Sequence, residues 1–214
     1  EGTLDLGITG RDMLLDSGAE AEEVKSLGFG GTRFRFAAPG GATMSVADLT
    51  GKRIATSYSG LVASYLDGHG VTARLIHLDG AVESSVRLGV ADVVADVVET
   101  GTTLKRAGLE LFGDAILESE AILIQRKGVP APEGLDLLVR RLSGVITARD
   151  YLMVDYNVPR ELLEAATKVT PGLDAPTVSP LAKDGWVAVR AMIPAKQAQR
   201  IMDALWEAGA DAIL

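Results

Sequence analysis

The sequence contains no cysteine. Disulfides, thiolate zinc sites and a cysteine nucleophile are therefore excluded, which fits a reducing compartment and leans toward the cytoplasm. It also lacks any run near the ~18 uninterrupted apolar residues that a membrane span requires, so no membrane partner is expected. Basic charge is scarce: 21 Lys and Arg against 29 Asp and Glu give a net charge of -8, with a pI near 4.8. Nucleic-acid binders gather cations on one face, so nucleic acid is not an expected partner, and an anionic ligand would need a local exception to this acidity. Only two histidines occur, His69 and His77, neither at metal-ligand spacing, and both are expected to be surface or structural. No GxxxxGK[ST] is present, and Gly28-Phe29-Gly30-Gly31 lacks the strand-to-helix context of a dinucleotide site. The chain opens on Glu1-Gly2-Thr3-Leu4-Asp5 without an initiator Met, a basic segment or an apolar one. No targeting peptide is expected, and both ends look truncated.

What is present is an ordinary globular balance, 47% hydrophobic and 23% charged over 214 residues, long enough for two or three domains. Short apolar strands alternate with helical stretches. Strands are expected at 4–8, 34–38, 53–57, 73–77, 90–98 and 118–125, and helices at 12–17, 45–49, 59–69, 82–88 and 104–107. Such alternation implies a parallel or mixed sheet covered by helices, with ligands at the carboxyl ends of its strands. A Pro- and Gly-rich break at 128–134 and a helix at 135–142 lead to Ser143-Gly144, a boundary by composition. Beyond it the order βαββαβ, with strands at 151–156, 177–181, 186–193 and 211–214, is the ferredoxin-like arrangement, for which about 70 residues suffice. That fold hosts many functions and names none.

The strongest chemical signal runs from Glu83 through Asp92 and Asp96 to Thr100-Gly101-Thr102-Thr103-Leu104. Asp92 and Asp96, four apart on one strand, are expected on the same face. A turn with a glycine can present consecutive N–H groups to a phosphate, and the threonine hydroxyls add donors. Carboxylates accept from ribose hydroxyls or hold Mg²⁺. The alternative is a pair of strand-end acids beside an ordinary turn.

Glu83, Gly89, Ala91, Val94, Asp96, Val97, Thr100, Gly101, Thr103 and Leu104 resemble the signature of ATP phosphoribosyltransferases, the first enzymes of histidine biosynthesis. The pattern departs at Glu99, where the family usually has a small residue; a carboxylate there must point away from a phosphate, or the turn must differ locally. Segments 4–12, 53–58 and 78–83 are similar to family segments in the same order. Segments 151–157, 170–173 and 175–178 resemble the regulatory domain of the long, actinobacterial-like form.

The resemblance implies a two-lobed α/β catalytic region of the type II periplasmic-binding-protein kind, with lobe one at 1–33 and 118–143 and lobe two at 34–117. A ferredoxin-like (ACT-like) histidine-binding domain would follow at 144–214. It implies that Glu83 and Asp96 hold the ribose hydroxyls of phosphoribosyl pyrophosphate, while Thr100, Gly101, Thr102 and Thr103 wrap its 5-phosphate. Asp12 and Tyr58 would meet ATP, with AMP as a further nucleotide. On spacing alone, Asp12 reads as a helix N-cap and Tyr58 as a strand-end residue. Asn157, Leu173, Thr177 and Ala212 would bind histidine as inhibitor, with Asp155 an equal candidate for its amine. From the residues alone, Leu173 and Ala212 read as core and Asn157 as a turn residue. Mg²⁺ is the implied cofactor, a dimer or hexamer the implied assembly, and no covalent nucleophile is called for. The family's basic phosphate-contacting segment would lie upstream of Glu1, so weak or absent catalysis is expected of the chain as it stands. A non-catalytic two-lobed binder of a small ligand is the competing expectation.

Overall fold

The computed structural model describes residues 4–40, 44–98 and 101–214. The chain divides into two compact units, Glu1–Leu135 and Asp136–Leu214.

In the first unit, β1 (Leu6–Gly10), β2 (Ala21–Ser26) and β8 (Ala121–Arg126) form an antiparallel sheet in the order β1-β8-β2. A second sheet contains β3 (Thr32–Pro39), β4 (Arg53–Thr56), β5 (Arg74–His77), β6 (Val93–Val98) and β7 (Leu109–Ser119), in the order β5-β4-β6-β3-β7. Strand β4 is parallel to β5 and β6, whereas β3 runs antiparallel to both β6 and β7. Three consecutive parallel strands with a reversed strand let in beside them is the arrangement of a type II periplasmic-binding-protein lobe. The chain passes from one sheet to the other at residues 27–31 and returns at Glu120.

Both faces of the larger sheet are covered, as its parallel strands require. Phe34, Phe36, Ile54, Val93 and Ala95 face one way and pack with Leu61, Val62 and Leu66 of α2 (Ser59–Gly68). Ala37, Ala55 and Val94 face the other way, against Val82 and against Leu104 of α4 (Thr102–Arg106). The β-branched run Val93-Val94 and Val97-Val98 suits a strand buried on both sides. Helix α1 (Arg11–Ser17) stops at Gly18, whose φ of 60° supplies the left-handed residue that ends a helix. Helix α3 (Ser84–Arg87) is a single turn.

Three expectations change here. Residues 21–26 and 109–117 are strands that the residue pattern did not announce, and the strand expected at 118–125 is the end of β7 and most of β8, broken at Glu120. Strand β6 starts at Val93, which leaves Asp92 outside it. The helix expected at 135–142 continues as α5 (Leu135–Asp150) straight through Ser143 and Gly144.

In the second unit, β9 (Tyr151–Pro159), α6 (Leu163–Val169), β10 (Thr177–Pro180), β11 (Trp186–Pro194) and α7 (Ala198–Glu207) follow in order, with an antiparallel sheet β10-β11-β9. Residues 211–214 add an irregular edge beside β9. Asn157 and Asp211 exchange both backbone hydrogen bonds at 2.8 Å, and Asp155 and Leu214 do so at 3.1 and 2.9 Å. Between these pairs one residue on β9, Tyr156, thus opposes two on the edge segment, Ala212 and Ile213, and Ala212, at φ 47°, takes up the extra residue as a bulge. The sheet is ferredoxin-like, with a core of Val154, Tyr156, Val158, Val187, Val189 and Leu205.

Candidate functional site

Two helix ends bring the first pair of candidate residues together. Asp16, near the end of α1, accepts from Leu61 N–H in the first turn of α2 at 3.0 Å. A Cβ on Gly60 would collide with the Asp16 carbonyl, so only glycine permits this approach. The contact sets Tyr58, just ahead of α2, beside Asp12. Burial pushes the Tyr58 phenol up, and the Asp12 carboxylate, then Asp96, add to the shift. Tyr58 also meets Phe34 edge-on at 5.2 Å, which fixes its ring.

Asp12 is not a helix N-cap. Gly10 takes that position, and Asp12, only 8% exposed, lies in the first turn of α1. Its N–H donates to Ser119 Oγ at 3.0 Å, and Ser119 Oγ donates to its Oδ1 at 2.9 Å.

Asp96 lies on β6 with its carboxyl half-buried; Val97 N–H donates to its Oδ1 at 2.7 Å. Burial raises its pKa, the Val97 bond opposes the rise, and Glu83 adds to it by charge repulsion. Glu83 and Asp96 are therefore near neighbours, although thirteen positions separate them in the sequence. Asp92 takes no part. Arg53 clamps it through Nε at 3.2 Å, Nη2 at 2.8 Å and its backbone N–H at 2.9 Å. These bonds hold the Asp92 carboxyl down, to about 2. The expectation that Asp92 and Asp96 share one face as a pair fails because Asp92 precedes the strand and is already satisfied.

Gly101, at φ 71°, opens α4, and Thr102, Thr103 and Leu104 form its first turn. With Thr32, Val97 and Val98 they line a cavity of about 310 Å³. Thr32 and Val98 also border a second cavity of about 440 Å³, which reaches Arg11, Arg33, Glu118, Ser119 and Glu120 at the crossings between the sheets. The N–H groups of a helix's first turn face away from its own carbonyls, which suits an anionic group. Thr100 and Glu99 lie outside the described residues. Arg35 stands opposite Asp96 in the β3–β6 register, and its Nη2 donates to Gly113 O at 2.6 Å.

Ser119, Arg53 and Gly60 were not singled out from the sequence. Ser119 lies between Glu118 and Glu120, a polar run in which a serine carries no local signal. The partners of Arg53 and Gly60 are 39 and about 45 positions away, beyond any local pattern.

In the second unit, Asn157 and Thr177 lie on the sheet face turned away from the core. Asn157 is opposite Ala188, and Thr177 is opposite Arg190. Asn157 belongs to β9 and is no turn residue. Ala212 follows Asp211, the bridge partner of Asn157, and is exposed, and Leu173 is 50% exposed in the loop before β10. Neither is core. Asp155 lies two residues before Asn157 on the same strand and is paired with Arg190 at 2.9 Å.

Among the described residues no group of three or more His, Cys, Asp or Glu could hold a metal ion, and no helix is long and apolar enough to cross a membrane.

A family model described as HisG: ATP phosphoribosyltransferase matches residues 1–144, and one described as HisG, C-terminal domain matches residues 148–214. The chain is 58% identical to an ATP phosphoribosyltransferase of Pseudarthrobacter chlorophenolicus, over 100% of this chain and 76% of the relative. It is 60% identical to an ATP phosphoribosyltransferase of Kocuria rhizophila, again over 100% of this chain and 76% of the relative. Among solved structures, an ATP phosphoribosyl transferase (HisG:HisZ) complex from Thermotoga maritima aligns at 28% identity with a TM-score of 0.59. That alignment covers 69% of this chain and 72% of the other.

Proposed function

The chain belongs to the ATP phosphoribosyltransferase family, and from that premise we propose that its nucleotide and sugar meet in the cleft where Asp12, Tyr58, Asp96 and Glu83 converge. The enzyme catalyses the first step of histidine biosynthesis, ATP plus phosphoribosyl pyrophosphate giving phosphoribosyl-ATP and pyrophosphate. The observation that carries the site is the environment of Tyr58, flanked by a carboxylate from α1 and another from β6.

In this proposal Tyr58 covers a face of the purine, and the Asp12 carboxylate accepts from its 6-amino group. Glu83 and Asp96 accept from the ribose hydroxyls, and the turn from Thr100 through Gly101, Thr102 and Thr103 takes the 5-phosphate. The N1 lone pair of ATP forms a bond to C1 of the sugar as the bond from C1 to the pyrophosphate oxygen breaks, with its electron pair leaving on pyrophosphate. Positive charge develops on the purine and at C1 as the reaction proceeds. Carboxylates on both sides interact more strongly with that state than with the separate substrates, which is the form that catalysis takes here. Positioning supplies the rest, and no covalent nucleophile is needed.

The donor set fits a divalent cation that arrives with substrate. Magnesium is commonly held by one or two carboxylates together with phosphate oxygens, and Glu83 and Asp96 offer that number. When bound, Mg²⁺ neutralises charge on the departing pyrophosphate.

Asn157, Leu173, Thr177 and Ala212 form the proposed histidine site of a regulatory domain at 144–214, following catalytic lobes at 1–33 with 118–143 and at 34–117. AMP as a further nucleotide ligand, a homo-oligomeric dimer or hexamer, and a cytosolic location complete the proposal. The test is pyrophosphate release in the presence of ATP, phosphoribosyl pyrophosphate and Mg²⁺. Tyr58→Ala and Asp12→Asn should raise the KM for ATP, whereas Glu83→Gln should raise that for phosphoribosyl pyrophosphate. Unchanged constants in all three would remove the site assignment, and release indifferent to histidine would remove only the regulatory one.

A further inference from the structure

Asp12 is held by a residue that this chemistry does not itself employ. Ser119 is the last residue of β7 and is 5% exposed. Its oxygen accepts from Asp12 N–H at 3.0 Å, and its hydroxyl donates to Asp12 Oδ1 at 2.9 Å. A serine hydroxyl has one proton to give. That proton goes to Oδ1, so Oδ1 is committed as an acceptor. On its other side, a Cβ on Gly10 would collide with the same Oδ1. The carboxylate is boxed between a hydroxyl from the β7 end and a glycine from the β1 end, the Tyr58 hydroxyl also hydrogen-bonds it, and Oδ2 is the oxygen not committed to Ser119.

We infer that Ser119 sets the purine preference of the enzyme, by holding the Asp12 carboxylate as a fixed acceptor that receives a 6-amino purine and repels a 6-oxo purine. A 6-amino group offers N–H donors to Oδ2, whereas a 6-oxo group presents a second acceptor to it. Two acceptors facing each other across a desolvated gap leave both unpaired, which a buried site tolerates poorly. N1 of a 6-oxo purine also carries a proton and has no lone pair to attack C1. A site that refuses it at binding avoids occupation by a nucleotide that cannot react. Without the Ser119 hydroxyl the carboxylate loses the bond that fixes Oδ1, and both the attraction and the repulsion weaken. Ser119 is thus a positioning residue, and its role rests on Asp12 facing the purine as proposed above.

The experiment is calorimetric binding of ATP and of ITP to the protein and to its Ser119→Thr and Ser119→Val variants. Thr and Val have nearly the same shape and differ in the hydroxyl, so a loss of packing affects both alike. The unmodified protein and Ser119→Thr should favour ATP over ITP by roughly tenfold or more, and Ser119→Val should lose most of that ratio. Affinity for phosphoribosyl pyrophosphate should stay within about twofold throughout, since Ser119 acts only through Asp12. Ser119→Ala, smaller than Val, supplies the same comparison should the larger side chain prevent folding. A ratio in the hydroxyl-free variants equal to that of Ser119→Thr overturns the inference. Asp12→Asn separates the two levels: if it too leaves the ratio unchanged, the placement of Asp12 against the purine falls as well, and if it abolishes the ratio, only the role of Ser119 falls.

Discussion

Replacing Asp96 by asparagine should lower activity while leaving the fold intact or slightly firmer. The carboxyl on β6 is half-buried, and burial, with charge repulsion from Glu83, raises its pKa above the ordinary carboxylate value. A group whose folded pKa is raised holds its proton more tightly in the folded state. Its ionised form therefore costs stability at pH values above the folded pKa, and the cost disappears as pH falls below the unfolded one. Asparagine keeps the shape and the oxygen that accepts from Val97 N–H at 2.7 Å, and it removes the buried charge. The melting temperature at neutral pH should thus hold or rise. Binding moves the other way. A hydrogen bond from a sugar hydroxyl to a carboxylate is worth about 1.5–3 kcal/mol, so losing the charge should lower kcat/KM for phosphoribosyl pyrophosphate about 10- to 150-fold. Pyrophosphate release at saturating ATP, with the sugar phosphate varied, measures the loss, and a thermal melt measures stability. A fall in kcat/KM smaller than about threefold, or a clearly lower melting temperature, would refute the assignment of Asp96 as a ribose ligand held at a cost to the fold.

The same raised carboxyl predicts proton release when phosphoribosyl pyrophosphate binds in mildly acidic solution, because ribose hydroxyls favour the ionised form. Calorimetry in buffers of different ionisation enthalpy should show it, and affinity should rise with pH; heats independent of the buffer would count against it. Asp92→Ala should destabilise the first unit by about 1 kcal/mol through loss of the Arg53 clamp, with the KM for the sugar phosphate within about twofold. Because the folded pKa of Asp92 is lowered to about 2 from the ordinary 3.8, its contribution should be full above the ordinary value and be lost progressively as pH falls from there through about 2; a large KM effect would return Asp92 to the site. Tyr156→Phe removes a buried 2.8 Å bond to Thr170, whose hydroxyl keeps a second bond to Ala166 O at 3.3 Å. Urea unfolding should show a loss of about 1 kcal/mol in the second unit, and no loss would mean that the pair is energetically idle.

Elements with strong local periodicity were legible in the sequence, and those defined by distant partners were not. The run Val93-Val94-Ala95-Asp96-Val97-Val98 announced β6 because its four β-branched residues leave little alternative to a strand. Ser59 to Gly68 announced α2. Strand β2, Ala21-Glu22-Glu23-Val24-Lys25-Ser26, reads as charged surface, and it is a strand only because β8 supplies its partner and a bulge at Glu23 and Lys25 absorbs the mismatch. Strand β7 hides for a related reason. Its pairing with β3 is irregular at Phe34 and Phe36, so apolar and polar residues fall out of alternation around Gly113. At the site, Asp96 and the Gly101 turn are contiguous and readable. The Asp92 clamp was not, since a carboxylate looks the same in sequence whether or not a guanidinium 39 positions away has claimed it.

The least legible part of the site is also the part that sets its dimensions. Asp12 is carried by the sheet of β1, β8 and β2, whereas Tyr58 and Asp96 are carried by the sheet of β4 and β6, so their spacing depends on the two chain crossings. Those crossings are fastened to each other. Leu27 N–H donates to Ala121 O at 3.0 Å and Ala121 N–H to Phe29 O at 2.9 Å. Glu120 accepts from Gly28 N–H at 2.9 Å and from Arg11 at 3.3 Å, and Arg11 also reaches Glu23 at 2.8 Å. Arg11 immediately precedes Asp12, and Ser119 immediately precedes Glu120. The ion pairs that join the crossings and the hydroxyl bonded to the Asp12 carboxylate are therefore adjacent in the backbone. Substitutions at Arg11 or Glu120 should consequently alter nucleotide binding without either side chain touching the purine.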